Sequence, residues 1–173
     1  ALNRDASKLP PGSENLIVQE HFQGNRTPHT DPKSRGAFHG LTLKHGREHL
    51  FRAAIEGVAF GSELILESMR SNGFFPESIV VSGGATRSEL WLQIHSDVSN
   101  MPLTLTKNPV APLLGCAILC AVGAGIYEDI PTAVEQMVQI DRVIEPNSQV
   151  HAEYQPFYEA YKASYVGLRN IRN

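Results

Sequence analysis

The stretch IVVSGGATRSELW, residues 79–91, decides how this chain is read. Ile79, Val80 and Val81 form a short β-branched run of the kind that makes a buried strand. Leu90, Trp91, Ile94 and Val98 then recur at helical spacing, and Ser88 stands where a helix N-cap belongs. Between strand and helix lie Gly83, Gly84 and Ala85, with almost no side chain. Such a turn lets a flat or charged group approach the backbone near the positive end of a helix. The Gly-x-Gly-x-x-Gly spacing of dinucleotide sites is absent.

The rest of the chain sets bounds on this turn. Its 173 residues suit one domain or a large part of one. With 42% hydrophobic and 19% charged residues, a real core is expected and disorder is not. A net charge of -3, with Lys and Arg scattered, argues against a general nucleic-acid binder. No apolar stretch has the length of a membrane span, and nothing resembles a signal peptide. The longest apolar run, residues 113–126, is broken by Gly115, Gly123 and Gly125 and is expected as a buried helix. Cys116 and Cys120 share one face of it and read as core cysteines, which fits a reducing, cytoplasmic setting.

Working outward, residues 1–15 are expected to be a loop or a cut end, and residues 16–18 a strand. Residues 21–40 read as a long structured loop. Residues 47–72 are expected as a helix with Leu50, Ala54, Val58, Leu64 and Met69 near its buried stripe. A strand at 101–107 and helices at 112–124, 131–140 and 151–171 follow, the second of these three starting near Asp129 or Thr132. The last carries a stripe of Tyr154, Tyr158, Tyr161, Tyr165 and Leu168, expected as core. Strands alternating with helices argue α/β.

Residues 36–56, GAFHGLTLKHGREHLFRAAIE, resemble the second signature of the FGGY carbohydrate kinases through Gly36, Phe38, Gly40, Leu41, His49, Leu50, Ala53 and Glu56. The loop GNRTPHTDPKSRG (24–36) is similar to its counterpart in xylulokinase-like and ribulokinase-like members, and residues 82–103 to the family's adenosine motif. Residues 113–130 resemble the small-residue helix that follows. One departure is visible: NPVAPLLG (108–115) lacks the acid that many members place shortly before the Leu-Gly pair.

The resemblance implies an actin-like, ribonuclease H-like ATPase fold, with this chain the later part of the second of two domains. It implies ATP and Mg²⁺ as cofactors and a sugar or polyol as acceptor, bound mainly outside this chain, with the general base outside it too. Partners implied are ATP or ADP and the sugar, with neither nucleic acid nor membrane and with a homodimer left open. Gly83, Gly84, Ala85 and Ser88 become the nucleotide-site candidates; no catalytic residue and no metal ligand is assigned. The isolated chain is expected to phosphorylate nothing. The competing reading is a non-catalytic actin-like module that holds a nucleotide or a partner.

Other residues are weighed against plainer roles. Glu56, inside an apolar helix, is expected as a structural ion pair with Arg26 or Arg35 rather than a base. Arg26, Asp31 and Arg35 read as a loop pinned by its own hydrogen bonds and salt bridges. His95 and Asp97 read as packing or surface residues rather than metal ligands.

Overall fold

The computed structural model describes residues 2–171. Ala1, part of the expected N-terminal loop, and residues 172–173 lie outside them. Residues 2–15 are more ordered than their composition suggests. They hold a short helix, α1 (Leu2–Ala6), and a 3-10 turn at Ser13–Asn15. Ala6 is fully buried, because α1 packs on a longer helix downstream.

Strand β1 (Ile17–Gln19) pairs antiparallel with β2 (Ala37–His39), with Val18 opposite Phe38. The intervening loop was expected; the strand at its end was not. Three residues flanked by glycine carry too little alternation to stand out. Helix α2 (Arg47–Ser71) follows. The His49 Nδ1 accepts the Gly46 N–H at 3.1 Å, which caps its start.

The buried face of α2 is not the expected stripe. Leu50 and Val58 are exposed, while Arg52, Ala53, Ile55, Glu56, Gly57, Ala59, Phe60 and Glu63 point inward. The reason is close approach to β1: a Cβ at Gly57 would stand 2.5 Å from the Val18 carbonyl oxygen. The inward face of α2 is therefore marked by small residues and buried charge rather than by leucines.

Strand β3 (Ile79–Val81) leads through a 3-10 turn, Gly84–Arg87, into α3 (Glu89–Ser99) and then β4 (Leu103–Thr106), which lies parallel to β3. Helix α4 (Ala111–Gly123) and α5 (Ile130–Met137) come next; Asp129 caps α5, accepting the Thr132 N–H at 2.9 Å. The helix expected to run to residue 140 stops at Met137, and Ile140 instead opens β5 (Ile140–Ile144), antiparallel to β4. Its charged pair Asp141–Arg142 is tolerated because β5 is an exposed edge. Helix α6 (Ser148–Ile171) closes the chain.

Helix α3 stands between two cores. Leu92 faces the sheet and packs with Leu103 and Leu105. Ile94 and Val98 face the other way, joining Ile17, Ile55, Phe60, Tyr154, Tyr158 and Tyr161. The tyrosine stripe of α6 is core as expected: Tyr154, Tyr158, Tyr161 and Tyr165 are all buried. Helix α4 is not. Only Ile118 is buried, and Leu113, Leu119, Cys116 and Cys120 are exposed, the two thiols free. Helices α4 and α5 pack chiefly on each other, so apolar composition did not translate into burial. No described helix is long and apolar enough to cross a membrane.

Candidate functional site

The turn after β3 is built around one backbone angle. Gly83 has φ 89° and ψ -165°, a conformation that essentially only glycine adopts. Its N–H donates to the Pro109 carbonyl at 2.9 Å, tying the turn to the segment after β4. Its carbonyl accepts from the Thr86 hydroxyl at 2.7 Å and the Thr86 N–H at 3.3 Å. Gly84 and Ala85 open the 3-10 turn, which ends as the Ser88 N–H reaches the Ala85 carbonyl at 3.1 Å. Ser88 is the N-cap of α3, its Oγ accepting the Trp91 N–H at 3.3 Å. The four candidates thus lie on one continuous, largely exposed turn.

The two glycines differ in what demands them. At Gly83 the backbone does. At Gly84 the backbone is ordinary, and a Cβ built there would meet nothing within 4 Å. Packing among the described residues does not require a glycine at 84. A ligand lying against the backbone would.

Glu56 sits apart from this turn, and its partner is neither Arg26 nor Arg35. It lies 2.8 Å from Arg52 one helical turn away, because α2 buries both on one face. Glu56 also accepts from the Gly12 N–H, the Ser13 hydroxyl and the Tyr154 hydroxyl at 3.1, 2.7 and 3.1 Å. Arg52 donates onward to the Ala6 carbonyl and Tyr154. Burial pushes the Glu56 carboxyl above its usual range, although Arg52, Ser13 and Tyr154 pull it back. Both carboxylate oxygens are engaged, so the group is a clamp between α1, α2 and α6.

The neighbouring motif residues have structural work too. Gly40 (φ +88°) has the Asn15 carbonyl oxygen 2.3 Å from where its Cβ would stand, and Ala53 is 1% exposed. In the loop before them, Asn25 and Asp31 exchange backbone hydrogen bonds of 2.9 and 2.8 Å. The Asp31 carboxylate accepts the N–H groups of Lys33 and Ser34 and the Tyr165 hydroxyl. The loop is pinned by hydrogen bonds as expected. The salt bridges expected within it do not form: among the described residues Arg26 and Arg35 have no carboxylate within 4.0 Å.

His95 is a packing residue. Its ring stacks on Trp91 with centroids 3.5 Å apart, and its Nδ1–H donates to the Trp91 carbonyl at 2.9 Å. Its Nε2 is buried without a partner among the described residues. Burial drives its pKa down from 6.5 to about 4. A depressed base stabilises the fold above its unfolded pKa, and that stability is lost as pH falls from 6.5 through about 4. Relative to His95→Phe, the wild-type chain should lose about 3 kcal/mol over that window. Urea midpoints at pH 7 and pH 4 check this; parallel acid dependence in the two proteins would refute it. Comparison with the variant is needed because half-buried Glu20 and buried Glu56, Glu63 and Asp97, held above their usual pKa by burial, act in the opposite direction.

Among the described residues no cluster of three or more His, Cys, Asp or Glu is placed to hold a metal. The residues present do not fit a Mg²⁺ site of their own.

The sequence model of the FGGY family of carbohydrate kinases, C-terminal domain, matches residues 1–124. Xylulose kinase of Staphylococcus epidermidis (strain ATCC 35984) is 35% identical over 166 residues, covering 96% of this chain and 34% of the relative. Among solved structures, xylulose kinase from Rhodospirillum rubrum superposes with a TM-score of 0.85 at 30% identity, over 99% of this chain and 34% of that one. Ligand-bound xylulose kinase from Lactobacillus acidophilus gives 0.86 at 29% identity, over 97% and 34%. The chain spans about a third of the length of the relatives it matches.

Proposed function

The chain belongs to the FGGY family of carbohydrate kinases, and from that membership we propose that it forms a nucleotide-binding wall of an ATP-dependent kinase acting on a sugar or polyol hydroxyl. The fold is the actin-like ATPase architecture shared with its structural neighbours. The names of its relatives make a pentulose the first acceptor to try. Exposed free thiols at Cys116 and Cys120 suit a cytoplasmic, reducing setting.

The open space beside Gly84 carries this reading. Phosphoryl transfer asks a protein mainly to position charge and exclude water. ATP supplies the phosphoryl group. The turn at residues 82–88 supplies, at Gly83 and Gly84, backbone bare of side chains, held by the Pro109 carbonyl and by the Ser88 cap. An adenosine lying on that surface has a rigid support at the start of α3. No general base is assigned here: Glu56, the most buried carboxylate among the described residues, is held in its clamp by Arg52, Gly12, Ser13 and Tyr154. Mg²⁺ would travel with the ATP phosphates and with groups outside this chain.

Calorimetric titration of ADP into the chain and into Gly84→Val tests the placement. The substitution should leave the circular dichroism spectrum unchanged, because its Cβ enters open space. It should weaken ADP binding at least ten-fold, about 1.4 kcal/mol. Equal affinity in the two proteins would remove the nucleotide from this turn.

A further inference from the structure

A cleft of about 580 Å³ opens between the loop at residues 29–35 and the C-terminal end of α6. None of its lining residues belongs to the turn at 82–88. Its floor is aromatic: His29 lies flat on Tyr165, centroids 3.9 Å apart and planes 5° from parallel. Its rim is cationic, with Lys33, Arg35 and Arg169. Among the described residues, none of these three has a carboxylate within 4.0 Å. Asp31 also lines the cleft, but its oxygens already accept from Lys33, Ser34 and Tyr165.

We infer that this cleft binds the phosphate group of a small phosphorylated metabolite. Three cations line one cleft with, among the described residues, no carboxylate within 4.0 Å of any of them, and an anion seated between them relieves their mutual repulsion. One of the three cations is pre-arranged, which lowers the entropic cost of binding. Arg35 Nη1 is held by the Pro32 and Ser34 carbonyls at 3.0 and 2.7 Å, leaving its other donors for a ligand. The loop itself is braced by the Asn25–Asp31 bridge and by Asp31. Two guanidinium groups and an ammonium suit a doubly charged, multi-oxygen phosphate better than a single carboxylate. The volume takes a phosphorylated sugar rather than an extended peptide, and the stacked rings give its carbon skeleton an apolar seat.

Ribose 5-phosphate, inorganic phosphate and ribose, each titrated into the wild-type chain, test this. Ribose 5-phosphate should bind at or below about 1 mM, with inorganic phosphate weaker and ribose undetected. Arg169→Gln and Lys33→Gln each change an exposed side chain, so thermal melts should be unaltered. Each should weaken ribose 5-phosphate at least ten-fold, and added salt should weaken it further. No phosphate binding, binding unchanged in both variants, or capture of poly-glutamate in place of ribose 5-phosphate would each overturn the inference. The last result would make the cleft a dock for an acidic segment.

Discussion

Arg52→Leu should destabilise the chain by about 3–5 kcal/mol, the range for breaking a buried ion pair from one side. The side chains of Arg52 and Glu56 are 7% and 1% exposed. Removing the guanidinium strands the carboxylate among Gly12, Ser13 and Tyr154, and takes one of two donors from the Ala6 carbonyl, which keeps the Leu9 N–H. Burial keeps the Glu56 pKa raised despite these donors, so the pair is not itself a large source of stability. Its weight lies in the cost of separating it. The double variant Arg52→Leu/Glu56→Leu should therefore recover part of the loss, because no charge is left stranded. Urea unfolding monitored by circular dichroism reads both. A loss below about 1 kcal/mol in the single variant would mean that water reaches the clamp and that the charges are not buried in solution.

Phe60→Ala should cost a similar amount, about 3–5 kcal/mol. Phe60 is 1% exposed and is surrounded by Tyr154, Tyr158 and Tyr161, with ring centroids 6.0, 6.0 and 5.7 Å away. Removing it takes out the ring against which α6 is seated on α2. Those tyrosines are fixed at their hydroxyl ends, Tyr158 to Glu67 and Tyr161 to Glu20, so they cannot collapse inward to fill the gap. Phe60→Leu keeps most of the volume and should cost less than about 1.5 kcal/mol. Thermal melts of the two variants distinguish a true cavity from loss of an aromatic contact; equal losses would mean that ring geometry, not volume, holds α6.

What the sequence made legible was local. Strand β3, the glycine turn and the Ser88 cap follow from residues within a dozen positions and all form where expected, but the strand is not the buried one its β-branched run suggested: Val80 is exposed and its neighbours are half-buried. The burial of α2 was not legible, because its inward face is chosen by the Val18 carbonyl passing Gly57 and by a charge clamp that reaches Tyr154, 98 residues away. Helix α4 misled in the other direction. It is apolar on all sides, and such a helix reads as buried whether or not anything in the chain packs against it. Strands β2 and β5 were missed because one is very short and the other an exposed edge. The phosphate cleft was hidden for a topological reason: Lys33 and Arg35 come from the loop, Arg169 from the last helix, and only the fold brings them together.

The seating of α6 on α2 also has a consequence for how the chain is made. Tyr154, Tyr158 and Tyr161 belong to the last 24-residue helix, yet they complete the core around Phe60 and the clamp around Glu56. During synthesis, α1 and β1 already lie against part of the inner face of α2, but the part around Glu56 and Phe60 waits for about a hundred further residues before the tyrosines arrive. Until then the nascent chain exposes an aromatic and acidic surface that chaperones are built to shield. The docking of α6 on α2 is a long-range closure, and pairings so distant in sequence form more slowly than local ones.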